Sequence, residues 1–72
     1  MMNWNYRVIR LKVGDEYLYK LAEVYYADDG KAESWSDPFL EGSSVEEIQE
    51  VLDRAMAGSA KPVLDMEFGT QT

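Results

Sequence analysis

Three runs of β-type sequence precede one helical pattern in this chain. Residues 4–13 predict a first strand whose large apolar side chains fall on both faces. One row holds Trp4, Tyr6 and Val8, and the other holds Ile9, Leu11 and Val13. Such a strand is either covered on both sides or carries a bulge that exchanges its faces.

Residues 17–27 predict a second strand that is again two-sided. One row contains Tyr17, Tyr19, Leu21, Glu23 and Tyr25; the other contains Leu18, Lys20, Ala22, Val24 and Tyr26. Between the two strands, residues 14–16 supply a turn, since glycine tolerates positive φ. A two-residue turn at Gly14-Asp15 places Ile9 and Leu11 on the face of Val24. A loop longer by one residue places Tyr6 and Val8 there, and both registers remain open.

Residues 28–31, Asp-Asp-Gly-Lys, predict a second hairpin, because Asp-Gly between two β-type runs favours a tight turn. With residues 29 and 30 at its centre, cross-strand partners sum to 59. Tyr26 then lies opposite Glu33, and Val24 lies opposite Trp35 as an aromatic and β-branched pair. Pro38 ends the third strand, since proline donates no ladder hydrogen bond.

A helix follows, with the clearest signals in the chain. Ser43 and Ser44 are both favourable N-cap residues, and each has a glutamate three positions later. An apolar stripe recurs at three- and four-residue spacing: Val45, Ile48, Val51, Leu52, Ala55 and Met56. Gly58 is predicted to end the helix. We expect the stripe to cover the sheet face that carries Ala22, Val24 and Trp35.

Residues 63–68 alternate cleanly and predict a short fourth strand at a sheet edge, because Pro62 opens it. A right-handed crossover through the helix would place this strand parallel to a neighbour. Residues 1–68 thus form one small α+β domain, a three-stranded antiparallel meander with one helix on one face and a fourth strand. Residues 69–72 are expected to be a disordered tail.

The composition excludes several kinds of chemistry. The 72 residues include no cysteine and no histidine, so thiolate sites, disulfides and the usual neutral-pH general base are absent. The inventory argues against an enzyme and predicts no cofactor and no metal site. There is no apolar run long enough to span a bilayer and no secretory signal at the amino terminus, so we expect a cytoplasmic protein.

The net charge of −7 is concentrated in the middle of the chain. Residues 1–20 are slightly basic, whereas residues 21–60 carry ten acids against Lys31 and Arg54. Such a surface repels nucleic-acid phosphates and anionic membranes, so neither is an expected partner. A basic protein surface remains compatible with it.

The aromatic sheet face is the first candidate site. A single helix covers only one face of the sheet, so the other face is expected to contact a protein partner or a second copy. Its residues are Tyr6, Val8, Tyr17, Tyr19, Leu21 and Tyr25. The plainer interpretation is that the tyrosine rings lie flat on the surface with their hydroxyls in water. No small-molecule ligand is evident.

The acidic helix surface is the alternative site, with Glu46, Glu50 and Asp53 as its candidate residues. Its plain interpretation is a solvated face that keeps a small protein soluble. Its functional interpretation is an acidic inhibitor or nucleic-acid mimic, including one of phage origin, that binds a basic protein surface.

Several short motifs together resemble a family of small uncharacterised bacterial proteins. The motifs are Glu-Val-Tyr-Tyr at 23–26, Asp-Gly-Lys at 29–31, Ser-Trp-Ser at 34–36, Gly-x-Ser-x-Glu-Glu at 42–47 and Lys-Pro-Val-Leu at 61–64. The resemblance spans most of the chain and implies a compact sheet-and-helix module. It implies no activity, because these motifs are turns, a cap and a strand start.

Overall fold

Four strands and one α-helix make up the fold of the computed structural model, which describes residues 3–72. The elements in chain order are β1 (Asn3–Val13), β2 (Glu16–Tyr26), β3 (Ala32–Ser36), α1 (Val45–Ser59) and β4 (Leu64–Met66), followed by a 3₁₀ turn at Phe68–Thr70. The sheet order is β3-β2-β1-β4, with β4 parallel to β1. The predicted α+β class, with an antiparallel meander, one helix and a fourth strand, is confirmed.

The first hairpin adopts the two-residue turn. Gly14 has φ +61° and Val13 pairs with Glu16, so Gly14 and Asp15 form the whole loop. Glycine at the first central position with positive φ matches a type II′ turn, whose twist suits adjacent strands. Ile9 and Leu11 therefore lie on the same face as Val24.

The second hairpin confirms one predicted pair and corrects another. Val24 lies opposite Trp35, but Tyr26 pairs with Ala32 and not with Glu33. The Ala27 N–H donates to the Lys31 carbonyl at 2.9 Å, so the loop holds three residues, 28–30. An irregularity beside Tyr26 absorbs the extra residue, which restores the predicted register for the rest of β3.

The core lies on one face of the sheet and is closed by the end of the chain. Its fully buried members are Ile9, Leu11, Ala22, Val24 and Trp35. Leu64, Met66, Tyr26 and Ala32 pack around them.

The end of the chain, residues 67–72, is bonded to Trp35, and its last four residues are those predicted as a tail. The indole Nε1 donates to the Glu67 carbonyl at 2.9 Å, and the Thr72 N–H donates to the Trp35 carbonyl at 2.7 Å. The Phe68 ring meets the indole edge to face at 6.4 Å between centroids. Because β4 lies at one edge of the sheet and β3 at the other, this segment crosses the core face and shields it.

The helix packs on the opposite face from the one expected. Its residue Gly58 lies against the backbone and Cβ of Tyr6, and Ala55 is buried beside Val8. Tyr6 and Val8 alternate with Ile9 along β1, so they point away from the core cluster. The expectation that α1 covers Ala22, Val24 and Trp35 is therefore wrong. The terminal segment occupies that face, and the helix takes the other.

The start of the helix agrees with the predicted capping pattern, whereas its end does not. Ser44 is the N-cap, its Oγ accepting the Glu47 N–H at 3.2 Å, while the Glu47 carboxylate accepts the Ser43 N–H at 2.7 Å. The bond from the Ser43 backbone lowers the pKa of Glu47. Gly58 does not end the helix but lies inside it. At this point β1 is so close to the helix that there is no room for a Cβ. Across residues 3–72, α1 included, the structure contains no helix with the length and apolarity needed to span a bilayer.

Candidate protein-binding surface

The helix covers only part of its sheet face. It packs on β1, with Ala55 and Gly58 as its buried residues. The far side of its apolar stripe projects beyond β1, leaving Leu52 53% and Met56 75% exposed. The face of β2 on this side of the sheet consequently stays largely open.

An apolar groove runs between the exposed side of the helix and the sheet. Val8 and Leu21 form its floor, while Leu52, Ala55 and Met56 form its helical wall with Ser59. Its volume is about 440 Å³, and its lining is almost entirely carbon. Val8 and Leu21 are direct cross-strand partners, which fixes the floor as one continuous apolar surface.

Two predicted tyrosines extend this surface along β2. Tyr17 is 52% and Tyr19 57% exposed, and both lie in the same side-chain row as Leu21. The Arg10 guanidinium lies 4.5 Å from the Tyr17 ring centroid and bonds to Asp65 at 2.6 Å. The guanidinium therefore makes a cation–π contact with the Tyr17 ring while its charge is paired with Asp65. We call the set Val8, Tyr17, Tyr19, Leu21, Leu52 and Met56 the open patch.

The other residues predicted for this surface have structural roles. Tyr6 is buried under the helix, and burial, followed by the charge of Glu23, raises the pKa of Tyr6. The Tyr25 hydroxyl bonds to Glu23 Oε1 at 3.1 Å and to Ser36 Oγ at 2.8 Å. Glu23 also accepts the Phe39 N–H at 2.9 Å, so its carboxylate ties the loop after β3 to the sheet.

Sequence reasoning missed the helical half of the patch and the free edge of β2. Leu52 and Met56 belong to the predicted stripe, which was assigned wholly to the core. The free edge follows from unequal strand lengths, because β2 spans eleven residues and β3 only five. β3 pairs with residues 23–26, so within the described residues, 3–72, no strand lies beside residues 16–22 of β2 on that side. The sequence signal for this difference was the short run of residues between the Asp-Gly turn and Pro38, which leaves room only for a short third strand.

A second concavity lies at the other flank of the helix. It has a volume of about 420 Å³ and is lined by Trp4, Asn5, Tyr6, Arg54, Ala57, Gly58 and Lys61. Trp4 meets Tyr6 edge to face at 5.2 Å, and Arg54 is bonded to Glu50 at 3.0 Å. Its ionisable lining residues are Tyr6, Arg54 and Lys61, and no carboxylate is among the described residues that line it.

The acidic candidates point away from the sheet. Glu46, Glu50 and Asp53 recur at four- and three-residue spacing along one exposed side of the helix. Arg54 partly neutralises this row through Glu50. Throughout the described part of the chain, residues 3–72, no group of three acidic side chains is arranged to hold a metal ion.

Comparison with known proteins gives no relative. No family model, curated protein or solved structure matches this chain.

Proposed function

We propose that this chain is a small non-enzymatic module of the cytoplasm that binds a protein, either a partner or a second copy of itself, through the open patch. The observation that carries the proposal is the position of the helix over β1. Half of an apolar helical stripe and the adjoining row of β2 are left facing solvent. Extended apolar patches of this kind mark interaction sites on small proteins.

The make-up of the open patch supports a protein as the ligand. It combines two tyrosines and a methionine with aliphatic side chains, and interface cores are rich in aromatic residues and methionine. No ionised carboxylate lies among its members, although the chain as a whole has a net charge of −7. Depletion of charge at the centre of a contact region is a further property of protein interfaces.

The acidic row is a second candidate surface, favoured by one observation. Glu46, Glu50 and Asp53 are all exposed, and among the residues that the structure describes Glu50 is the one of the three that is paired with a basic residue, Arg54. A basic partner held by this row would dissociate as salt rises, because screening weakens exposed charge pairs. Contacts through the open patch would be far less sensitive to salt.

Photo-crosslinking distinguishes the two surfaces in the source cell. A benzophenone amino acid replaces Met56 in one variant and Glu50 in another; both positions are exposed on the same helix but face different directions. We expect protein adducts from position 56 and few from position 50. Adducts from position 50 alone would show that the acidic row, and not the open patch, is the binding surface. Adducts from neither position would refute the proposal.

A further inference from the structure

We propose that two copies of this chain pair through the free edge of β2, antiparallel and centred on Tyr19. This inference rests on the proposed function and names the occupant of the open patch. It begins with the backbone, because an unpaired edge strand is a ready template for another strand.

The first hairpin determines which backbone groups are free. Val13 and Glu16 flank a two-residue turn, so they form a hydrogen-bonded pair, and every second residue of β2 bonds to β1 from there. The intervening residues Tyr17, Tyr19 and Leu21 direct their N–H and C=O groups outward. β3 begins to pair only at Glu23, so these three residues constitute the free edge.

The register follows from the extent of that edge. An antiparallel partner that satisfies all three residues must be centred on the middle one, Tyr19. Tyr17 then lies opposite Leu21 of the second copy, and the two Tyr19 side chains face each other across the twofold axis. A register shifted toward the turn would set Leu21 opposite Asp15, which is less favourable for an apolar side chain.

The same pairing brings the two open patches together. Direct partners in an antiparallel ladder share a face, so both helices lie on one side of the joined sheet. At about 4.8 Å between strands, the two β1 strands and the helices on them are separated by about 14 Å. Helices in direct contact lie about 8–10 Å apart. The two helices are therefore too far apart for direct contact. The side chains of Tyr19, Leu52 and Met56 from both copies are positioned to fill the gap between them.

The exposed side chains beside the free edge would supply part of the area that a dimer buries. Aromatic side chains present about 200 Å² each, so the half-exposed Tyr17 and Tyr19 supply roughly 200 Å² of the ~800 Å² per partner in a standard interface. Leu52 and Met56, on the same face as the two tyrosines, are each more than half exposed and enlarge the contact.

Local charge favours this surface over the rest of the molecule. The tip of the first hairpin holds three basic residues, Arg10, Lys12 and Lys20, against Asp15 and Glu16. The excess of acid therefore lies elsewhere, and two chains of net charge −7 meet at their least acidic region. The Lys20 ammonium is already bound to Asp37 and lies 5.0 Å from the Trp35 ring centroid. Its charge is therefore paired within the same chain and does not oppose the approach of a second strand to the free edge.

The test uses complementary charges at the twofold axis. Sedimentation velocity over a concentration series should show the mass of the intact protein rising from 8.3 kDa toward twice that value. Tyr19→Lys and Tyr19→Glu each place like charges face to face, so each variant alone should remain monomeric. Mixing them should restore the dimer, because opposite charges directly across a ladder attract.

Other outcomes would contradict either the proposed register or self-pairing itself. Both variants keep the backbone N–H and the exposed position, and circular dichroism verifies that they fold. Dimers of either variant alone, or a mixture that stays monomeric while the native protein dimerises, would overturn the register. A native protein that is monomeric at every concentration would overturn self-pairing. Adducts to another protein from position 56 would then still support the proposed function.

Discussion

The contact between Gly58 and β1 gives the sharpest test of where the helix lies. A Cβ added to Gly58 would be 1.8 Å from the Tyr6 carbonyl oxygen and 2.5 Å from its carbonyl carbon. Ordinary carbon–oxygen contacts need about 3.3 Å or more. Since both obstructing atoms belong to the backbone of a paired strand, Gly58→Ala forces the helix itself to move by about 1.5 Å.

Two opposing effects determine the size of the change. Alanine is the better helix former by about 0.8–1.0 kcal/mol, so an unpacked helix would be stabilised. Overpacking in a well-packed region costs about 1–3 kcal/mol and sometimes more, and a backbone clash this close favours the upper end. We expect Gly58→Ala to destabilise the protein by about 2 kcal/mol net, which lowers Tm by roughly 10 °C in a domain of this size.

Urea unfolding monitored by the fluorescence of Trp4 and Trp35 measures this difference. Gly69→Ala is the matched control, because a Cβ there meets nothing within 4 Å and its φ is not positive. We expect the control to lie within about 0.5 kcal/mol of the native protein. A Gly58→Ala variant as stable as the native protein, or more stable, would refute the placement of α1 on β1.

Three further predictions concern the helix cap and the closing segment. Ser44→Ala removes the acceptor for the Glu47 N–H and should cost about 1 kcal/mol in urea unfolding; an unchanged midpoint would contradict the cap. The pKa of Glu47 is lowered in the folded state, so its contribution is present above the ordinary glutamate pKa and is lost as pH falls through the lowered value. Glu47→Gln should therefore lose less stability than the native protein between pH 7 and pH 3, and an equal loss would contradict this. Trp35→Phe deletes the bond to the Glu67 carbonyl and should cost about 2 kcal/mol and speed carboxypeptidase trimming, whereas unchanged trimming would show that the indole does not hold the segment.

Local signals in the sequence determined much of the secondary structure. The Ser44 cap with Glu47, the Gly14-Asp15 turn as one of two options, and the Val24–Trp35 pair all follow from turn and capping chemistry. These features depend on a few neighbouring residues, so a single sequence contains the necessary information. The bulge in β3 is an exception, because a three-residue loop and a two-residue loop fit the same Asp-Gly motif.

There is a physical reason why the sequence does not predict which face of the sheet the helix covers. β1 and β2 are apolar on both faces, so the pattern alone gives no preference for either face. The choice depends on the terminal segment, whose polar residues Gln71 and Thr72 give no sign that their backbone binds Trp35. Of the residues proposed for the aromatic face, Tyr17 and Tyr19 are exposed, whereas Tyr6 is buried beneath the helix.

Amide hydrogen exchange in a dilute sample tests the account most directly, because its central claim is that the chain leaves one edge of β2 uncovered. Residues that bond to β1, Leu18 and Lys20, should exchange slowly. Their neighbours Tyr17, Tyr19 and Leu21 should exchange fast, giving an alternating pattern along the strand. Uniformly slow exchange from 17 to 21 at concentrations where the protein is monomeric would show that its own residues cover this edge, and would contradict the account.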